Sequence, residues 1–417
     1  MRWALPLLVL AQLANAQALS KSIRSGGLSP ERFPSSGAGA GAAAATALLS
    51  FLPSVSASDE CTGAVLVAAT GQTLNFTRSS SAYCAKSDGT IVLHTSNQAR
   101  IEANGLLTEE TRTNVALRSE ELENAVWTIF SGTVTANAGV GPNGASTADR
   151  VQISAGDANA VVQQTISGIY EAATHTTAFY VKSNTGSSQL FRLKLTHNGV
   201  ADFRSADLTA TTSWQRFTFS QLFGSTAGSG AVIGVNVPTG ATAVDLLVWG
   251  AQLEKGQSRA TSYIATAGTT VVRSPELASF ALTFPEAEGC ATATITFPTV
   301  KTAGSIYIVG TSGGSNSDAA IYWPSAGTTL GTFATTGGGP TVAAALFGTT
   351  SVGRGSWRTL PSLLGSIQVN GATAATQAGT DFAASGTVCL GSTCGSSANF
   401  TGYIRALRLE NSFAGCL

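Results

Sequence analysis

An all-β protein of two tandem antiparallel β-sandwiches is what this sequence predicts, on three observations. Across residues 127–254, short runs alternate apolar and polar residues with period two, the pattern of strands with one face in a core and the other toward solvent or ligand. Gly, Ser, Asn and Thr interrupt these runs every 8 to 15 residues or so, the turn spacing of a sandwich. A second set of similar runs begins at Ser279, and a second sandwich is its simplest account.

The elements follow from the N-terminus. Met1-Arg2 is a short basic start, residues 3–13 are apolar, and Ala14-Asn15-Ala16 offers the small residues of a cleavage site, so residues 1–16 read as an export signal. The apolar run is too short to span a membrane, which takes about 20 residues. Residues 17–60 form a low-complexity Ala/Gly/Ser linker. Within it, residues 37–55 fit a flexible linker, a second processing signal or a weak anchor; only the last would bring membrane contact. Residues 61–112 are a β-rich lead-in to the first module, which occupies 113–268. There Phe191, Leu193 and Leu195 alternate with Arg192 and Lys194; Phe217 and Phe219 alternate with Arg216 and Thr218; Val244, Leu246 and Val248 alternate with Asp245, Leu247 and Trp249. Residues 119–125 alone have helical character, for one or two turns. The seam lies near residues 263–275, and the second module spans 275–417, with strands expected within 280–284, 291–297, 305–311, 319–323, 341–347, 365–370 and 402–409.

Composition narrows the function. Lys plus Arg and Asp plus Glu each total 23, so the net charge is zero, without the basic excess that phosphate neutralisation requires, and no nucleic-acid partner is expected. Charged residues are 11% of the chain, against about 25% in an average domain. Three histidines, His94, His175 and His197, exclude a His-rich metal cluster and leave little for general-base chemistry. Six cysteines behind an export signal favour disulfides over metal. Of the 15 connectivities that six cysteines allow, proximity and domain favour Cys61 with Cys84, Cys389 with Cys394, and Cys290 with Cys416.

Catalytic patterns are weak. Gly310-Thr311-Ser312-Gly313-Gly314 matches G-x-S-x-G after a strand, but no histidine follows it, no helix pattern continues it, and the bland reading is a hairpin turn. A glycosidase needs two facing carboxylates. Glu109, Glu110, Asp245 and Glu254 are available. No catalytic residue is assigned, and glycoside hydrolysis is the less favoured reading.

Sugar recognition suits the residues at hand, because a pyranose stacks its apolar face on an aromatic ring and pairs its hydroxyls with planar polar groups. In the first sandwich the candidates are Tyr180, Arg192, Arg216, Asp245, Trp249 and Gln252; in the second they are Tyr307, Tyr322, Trp323 and Trp357.

Three stretches carry a resemblance: Asn104-Gly105-Leu106-Leu107-Thr108-Glu109-Glu110-Thr111-Arg112-Thr113-Asn114, then Arg118-Ser119-Glu120-Glu121, and above all Trp249-Gly250-Ala251-Gln252-Leu253-Glu254 with Thr261-Ser262-Tyr263-Ile264. Together they resemble the jelly-roll module of carbohydrate-binding type found in phage tail-associated and secreted bacterial proteins. Ser366-Ile367-Gln368-Val369-Asn370-Gly371 and Phe400-Thr401-Gly402-Tyr403-Ile404-Arg405 resemble a hairpin and closing strand of concanavalin-like, laminin-G-type sandwiches. The resemblance implies a jelly roll followed by a concanavalin-like sandwich, with Glu109, Glu110 and Glu254 in structural hydrogen-bonding roles and Trp127 and Trp214, which sit in its framework motifs, in the core. The acidic residues that would hold calcium in related laminin-G domains are few, so no cofactor or metal is expected. The reading is an exported, secreted or cell-surface, non-catalytic protein that binds polysaccharide or a cell-surface glycan. The alternative is a structural or adhesive surface protein, including a phage-tail-like host-recognition component.

Overall fold

Burial alternates along strands such as Gln189–Asn198 and Leu277–Ala281 and is nearly continuous along Thr174–Ser183, Gly230–Asn236 and Val244–Glu254; the computed structural model contains strands and turns and no helix among its described residues. It describes residues 60–62, 73–281 apart from 158, 160, 169 and 257, 387–394 apart from 393, and 401–408; elsewhere it describes the strands within 45–50, 288–378 and 409–410. The strand pairings among these are antiparallel.

Two five-stranded sheets make the first sandwich. One runs, edge to edge, Gln215–Leu222, Thr174–Ser183, Val244–Glu254, Ala148–Ile153, Gly132–Gly139; the other runs Leu208–Ala210, Gln189–Asn198, Gly230–Asn236, Val161–Ser167, Trp127–Phe130. Phe179, Val181, Leu246 and Val248 from the first sheet meet Phe191, Leu193, Leu195, Ile233 and Val235 from the second in one core. Each such side chain removed from water contributes about 1.5–3 kcal/mol.

A β-bulge sets the facing of the longest strand. Ala178 pairs with Gln252 and Tyr180 with Trp249, so Gly250 and Ala251 oppose a single residue. Gly250 has φ +68°, a left-handed conformation that costs a side-chain-bearing residue and not glycine. Because of the extra residue, Val248 and Ala251 both join the core, while Trp249, Gln252 and Glu254 share the opposite face. Simple alternation would have put Trp249 and Gln252 on opposite faces.

That opposite face is covered. The hairpin of Ala82–Ala85 and Ile91–His94 brings Tyr83 and Ile91 onto it, and with Tyr180, Leu247, Trp249 and Tyr263 they form a second apolar cluster. Cys61 and Cys84 are disulfide-bonded at this hairpin. His94 is buried between the carbonyls of Ala99 and Cys61, at 3.1 and 3.0 Å.

Pairing connects the lead-in to the C-terminal strands. Asn75–Thr77 adds to a seven-stranded sheet through Leu277–Ala281; Arg100–Glu102 and Gly105–Thr108 add to an eight-stranded sheet through Gly402–Glu410. Strands of these two sheets lie against each other, Ala319–Trp323 next to Thr350–Arg358. The first sandwich is therefore inserted between chain segments that pair with one another. Cys389 and Cys394 form a second disulfide; Cys416, expected to pair with Cys290, lies outside the described residues.

Two devices fix the junction. Asn114, fully buried, donates through Nδ2 to the carbonyls of Ala251 and Ile264 and accepts through Oδ1 from the Ala116 and Leu253 amides, at 2.8 to 3.0 Å. Beside it a buried ion cluster joins the lead-in to residues 273–276. Arg100 Nη2 lies 2.7 Å from Glu109 and 2.6 Å from Glu276, Arg78 Nη1 2.7 Å from Glu276, and Arg273 Nη1 2.9 Å from Glu109. Burial alone would raise Glu109, but Arg273 and Arg100 outweigh it and hold the carboxyl well below the ordinary carboxylate range.

One expectation is corrected. Residues 119–125 form a chain of i→i+3 turns, Glu121 to Arg118, Asn124 to Glu121 and Trp127 to Asn124, in place of helix. Ser119 bonds outward instead, to Thr266 and Tyr263, which holds the backbone in turns.

Candidate functional site

A cleft with a cavity volume of about 670 Å³ opens where the hairpin, the Gln215–Leu222 edge, the 259–263 loop and the C-terminal strand Gly402–Glu410 converge. Its aromatic lining is Tyr83, Tyr180, Trp214, Tyr263 and Tyr403, and its charged lining is Lys86, Asp88, Glu102, Glu109, Arg216 and Arg259.

The hairpin tip is positioned by glycine. Gly89 has φ +86°, and a Cβ there would lie 2.3 Å from the carbonyl oxygen of Trp214. Only glycine lets the tip rest against this wall. Asp88 Oδ1 accepts from the Thr90 amide and hydroxyl at 2.8 and 2.6 Å, closing the turn. Trp214, half-buried, donates from Nε1 to the Val140 carbonyl at 3.1 Å, and Lys182 Nζ lies 5.1 Å from its ring centroid.

On the far wall, Arg216 Nη1 donates to the Thr261 carbonyl at 2.5 Å and the guanidinium lies 5.6 Å from the Tyr180 ring centroid. Arg216 Nε and Nη2 and Arg259 Nη1 have no hydrogen-bond partner. Burial lowers the Arg259 pKa, opposed by the Tyr403 hydroxyl, and the Arg216 charge lowers it further. Glu102 accepts from the Ala85 amide at 2.9 Å and the Tyr403 hydroxyl at 2.7 Å. Burial raises its pKa despite these bonds and nearby Arg100. Burial also pushes the Tyr83 hydroxyl up to about 12.

Of the residues expected in a site, the structure places Tyr180 and Arg216 in the cleft. Trp249 is 0% exposed, its Nε1 bonded to Thr147 and its ring 4.5 Å from that of Tyr263. It is a core residue, because the hairpin covers the face that alternation alone leaves open. Gln252 is also fully buried, its amide bonded to Glu254 and its Oε1 accepting from Ile264 at 2.9 Å. Asp245 shares their face but sits at its other end, paired with Arg150 at 2.6 Å. Arg192 belongs to the other sheet, where it bonds the Val237 carbonyl. Tyr307 lies on Ile306–Thr311, Tyr322 and Trp323 on Ala319–Trp323, and Trp357 on Thr350–Arg358; their side chains lie outside the described residues. Of the G-x-S-x-G stretch, 312–314 are also outside them.

Sequence reasoning missed Tyr83, Trp214, Arg259 and Tyr403. The resemblance implies a core position for Trp214, which the structure leaves half-buried on the cleft wall, while the other three are gathered by pairings that no local pattern signals. His175 accepts from the Gly256 amide at 3.2 Å and lies 2.6 Å from the Tyr170 carbonyl; His197 stacks on Phe223 with centroids 4.6 Å apart. Neither lines the cleft. No group of three or more metal-ligating residues occurs among the described residues.

No family model and no curated protein matches this chain. Among solved structures, the CBM22-1 and GH10 modules of endo-1,4-β-D-xylanase 10B from Clostridium thermocellum, complexed with xylohexaose, align at 13% identity and TM-score 0.27, covering 37% of this chain and 30% of that one. The CBM22-1 xylan-binding domain of Xyn10C from Paenibacillus barcinonensis aligns at 14% identity and TM-score 0.26, over 35% of this chain and 94% of that one. The tandem CBM22-1-CBM22-2 domain of the same enzyme aligns at 8% identity and TM-score 0.28, over 73% of this chain and 99% of that one. Superpositions this loose leave the ligand to be read from the cleft itself.

Proposed function

We propose that this chain is an exported, non-catalytic glycan-binding protein whose ligand lies in the cleft between hairpin, first sandwich and C-terminal strand. The observation that supports it most is the combination of aromatic rings, Tyr83, Trp214 and Tyr403, with planar donors that have no partner, on Arg216 and Arg259. Rings offer stacking surfaces for pyranose faces, and guanidinium N–H groups suit sugar oxygens. The cavity volume falls within the roughly 300–1,000 Å³ of small-ligand pockets. Two disulfides agree with an oxidising compartment, and among the described residues no helix is long and apolar enough to cross a membrane.

The test is binding of the full chain to a glycan array and to insoluble polysaccharides, beside Trp214→Ala. Selective retention that the folded variant loses supports the reading; equal retention by both, or none by the wild type, contradicts it.

A second reading, glycoside hydrolysis, is favoured by one observation. Glu102 and Glu109 both line the cleft, one with a raised and one with a depressed pKa, the separation that acid and base roles require. Against it, Glu109 is already engaged by Arg100, Arg273 and the Ser262 amide and hydroxyl, so its lone pairs are poorly placed for nucleophilic or base work. Release of reducing ends by the wild type and not by Glu102→Gln would establish hydrolysis.

A further inference from the structure

We propose that the cleft selects an acidic glycan, one bearing uronate carboxylates, and that Arg216 and Arg259 receive the carboxylate; this rests on the glycan reading of the same cleft.

The charges around the cleft are not equivalent. Glu109 is neutralised by Arg100 and Arg273 at 2.7 and 2.9 Å. Asp88 closes the hairpin turn on Thr90. Glu102 is drawn toward its neutral form by burial and bonded to Tyr403 and the Ala85 amide. On the cationic side, Arg216 makes one hydrogen bond, to a neutral carbonyl, and leaves Nε and Nη2 without partners, while Arg259 leaves Nη1 without one. Lys86 is a further cation of the lining. In a chain with 23 acidic and 23 basic residues, the donors without a partner in this cleft sit on cations, while Asp88, held ionised by the Thr90 hydroxyl and amide, is the lining carboxylate that keeps its negative charge.

Buried donors without partners are costly, and three of them sit on two arginines of one cleft. A neutral sugar hydroxyl would satisfy one donor weakly. A planar carboxylate takes two parallel N–H bonds from a guanidinium, and these charge-assisted bonds are about twice as strong as neutral ones. The unpartnered nitrogens are shielded from solvent, so engagement begins with a rotamer change, which the flexible arginine stem permits. The rings of Tyr83 and Trp214 would then take the apolar faces of the same or a neighbouring sugar.

The experiment uses the full chain and a panel of polymers in acidic and neutral forms: polygalacturonate and its methyl ester, alginate, hyaluronan, neutral galactan and xylan, and dextran with dextran sulfate. Wild type, Arg259→Gln, Arg216→Gln and Arg216→Lys are compared, with thermal unfolding run on each to separate misfolding from lost contacts. The expected result is tightest binding to a uronate polymer, a loss of about tenfold or more in each glutamine variant, and partial retention in Arg216→Lys. For polygalacturonate as the ligand, methyl esterification should weaken binding similarly. Equal or tighter binding to a neutral polymer overturns the acidic preference and leaves glycan binding standing. Equal retention of dextran sulfate, or uronate binding indifferent to both folded glutamine variants, also overturns it. No binding to any polymer defeats both readings.

Discussion

Trp214 and Trp249 are two tryptophans of one sheet region with opposite fates. Trp249 is enclosed by Tyr83, Tyr180 and Tyr263, so Trp249→Ala should cost about 3–5 kcal/mol and lower the midpoint of urea or thermal unfolding accordingly. Trp214 is half-buried on the cleft wall, and its alanine variant should unfold within about 1–2 kcal/mol of wild type while losing ligand. Composition and motif could not separate them, because burial of a tryptophan depends on what covers its ring. Acid–base behaviour is also decided at single residues. Asp149 is pushed up to about 7 by burial, with Glu123 adding to it against the Leu122 and Asn137 amides. A carboxyl raised in the folded state stays protonated longer than in the unfolded chain, so stability falls as pH rises from about 4 to 7. The total change from this one group across that window is about 4 kcal/mol, and Asp149→Asn should remove it from unfolding midpoints measured over the same range. Glu109 acts in the opposite sense: its depressed pKa contributes stability at neutral pH that is lost as pH falls below the ordinary carboxylate range.

Among the elements, the hairpin of Ala82–Ala85 and Ile91–His94 turns an open sheet face into a covered one and builds a cleft wall. Gly89→Ala forces a Cβ toward the Trp214 carbonyl at a positive φ. It should cost about 1–2 kcal/mol or more and weaken ligand binding even where the protein remains folded, as paired unfolding and binding titrations would show. Strand existence was readable from alternation: Phe191, Leu193 and Leu195 are buried as their pattern implies. The bulge at Gly250 was not readable as a bulge, although Gly in the middle of a strand is its usual mark. Nor could the sequence show which element would cover Trp249 and Gln252, since that depends on contacts far apart in the chain. For the same reason Tyr83, Arg259 and Tyr403, from three distant segments, gave no sign of sharing a cleft.

Across the whole molecule, the first sandwich is carried between segments that belong together by pairing. Gly105–Thr108 bonds to Gly402–Glu410, and Asn75–Thr77 bonds to Leu277–Ala281. A fragment ending at residue 276 would keep Arg100, Glu109 and Glu276 but lose the partner strands on both sheets and the Tyr403 hydroxyl on Glu102. It should unfold at lower denaturant than the full chain, with part of the cleft missing. Within the full chain, Arg100→Met leaves Glu109 and Glu276 with fewer buried cations and should destabilise by about 3–5 kcal/mol. Where the ligand sits is decided by a crystal structure of the full chain with its tightest-binding oligosaccharide. Sugar rings against Tyr83 and Trp214, with Arg216 and Arg259 turned onto the ligand, are the expected result. Sugar bound elsewhere, on the outer face of the Gln189–Asn198 sheet for example, with the cleft empty, would contradict it.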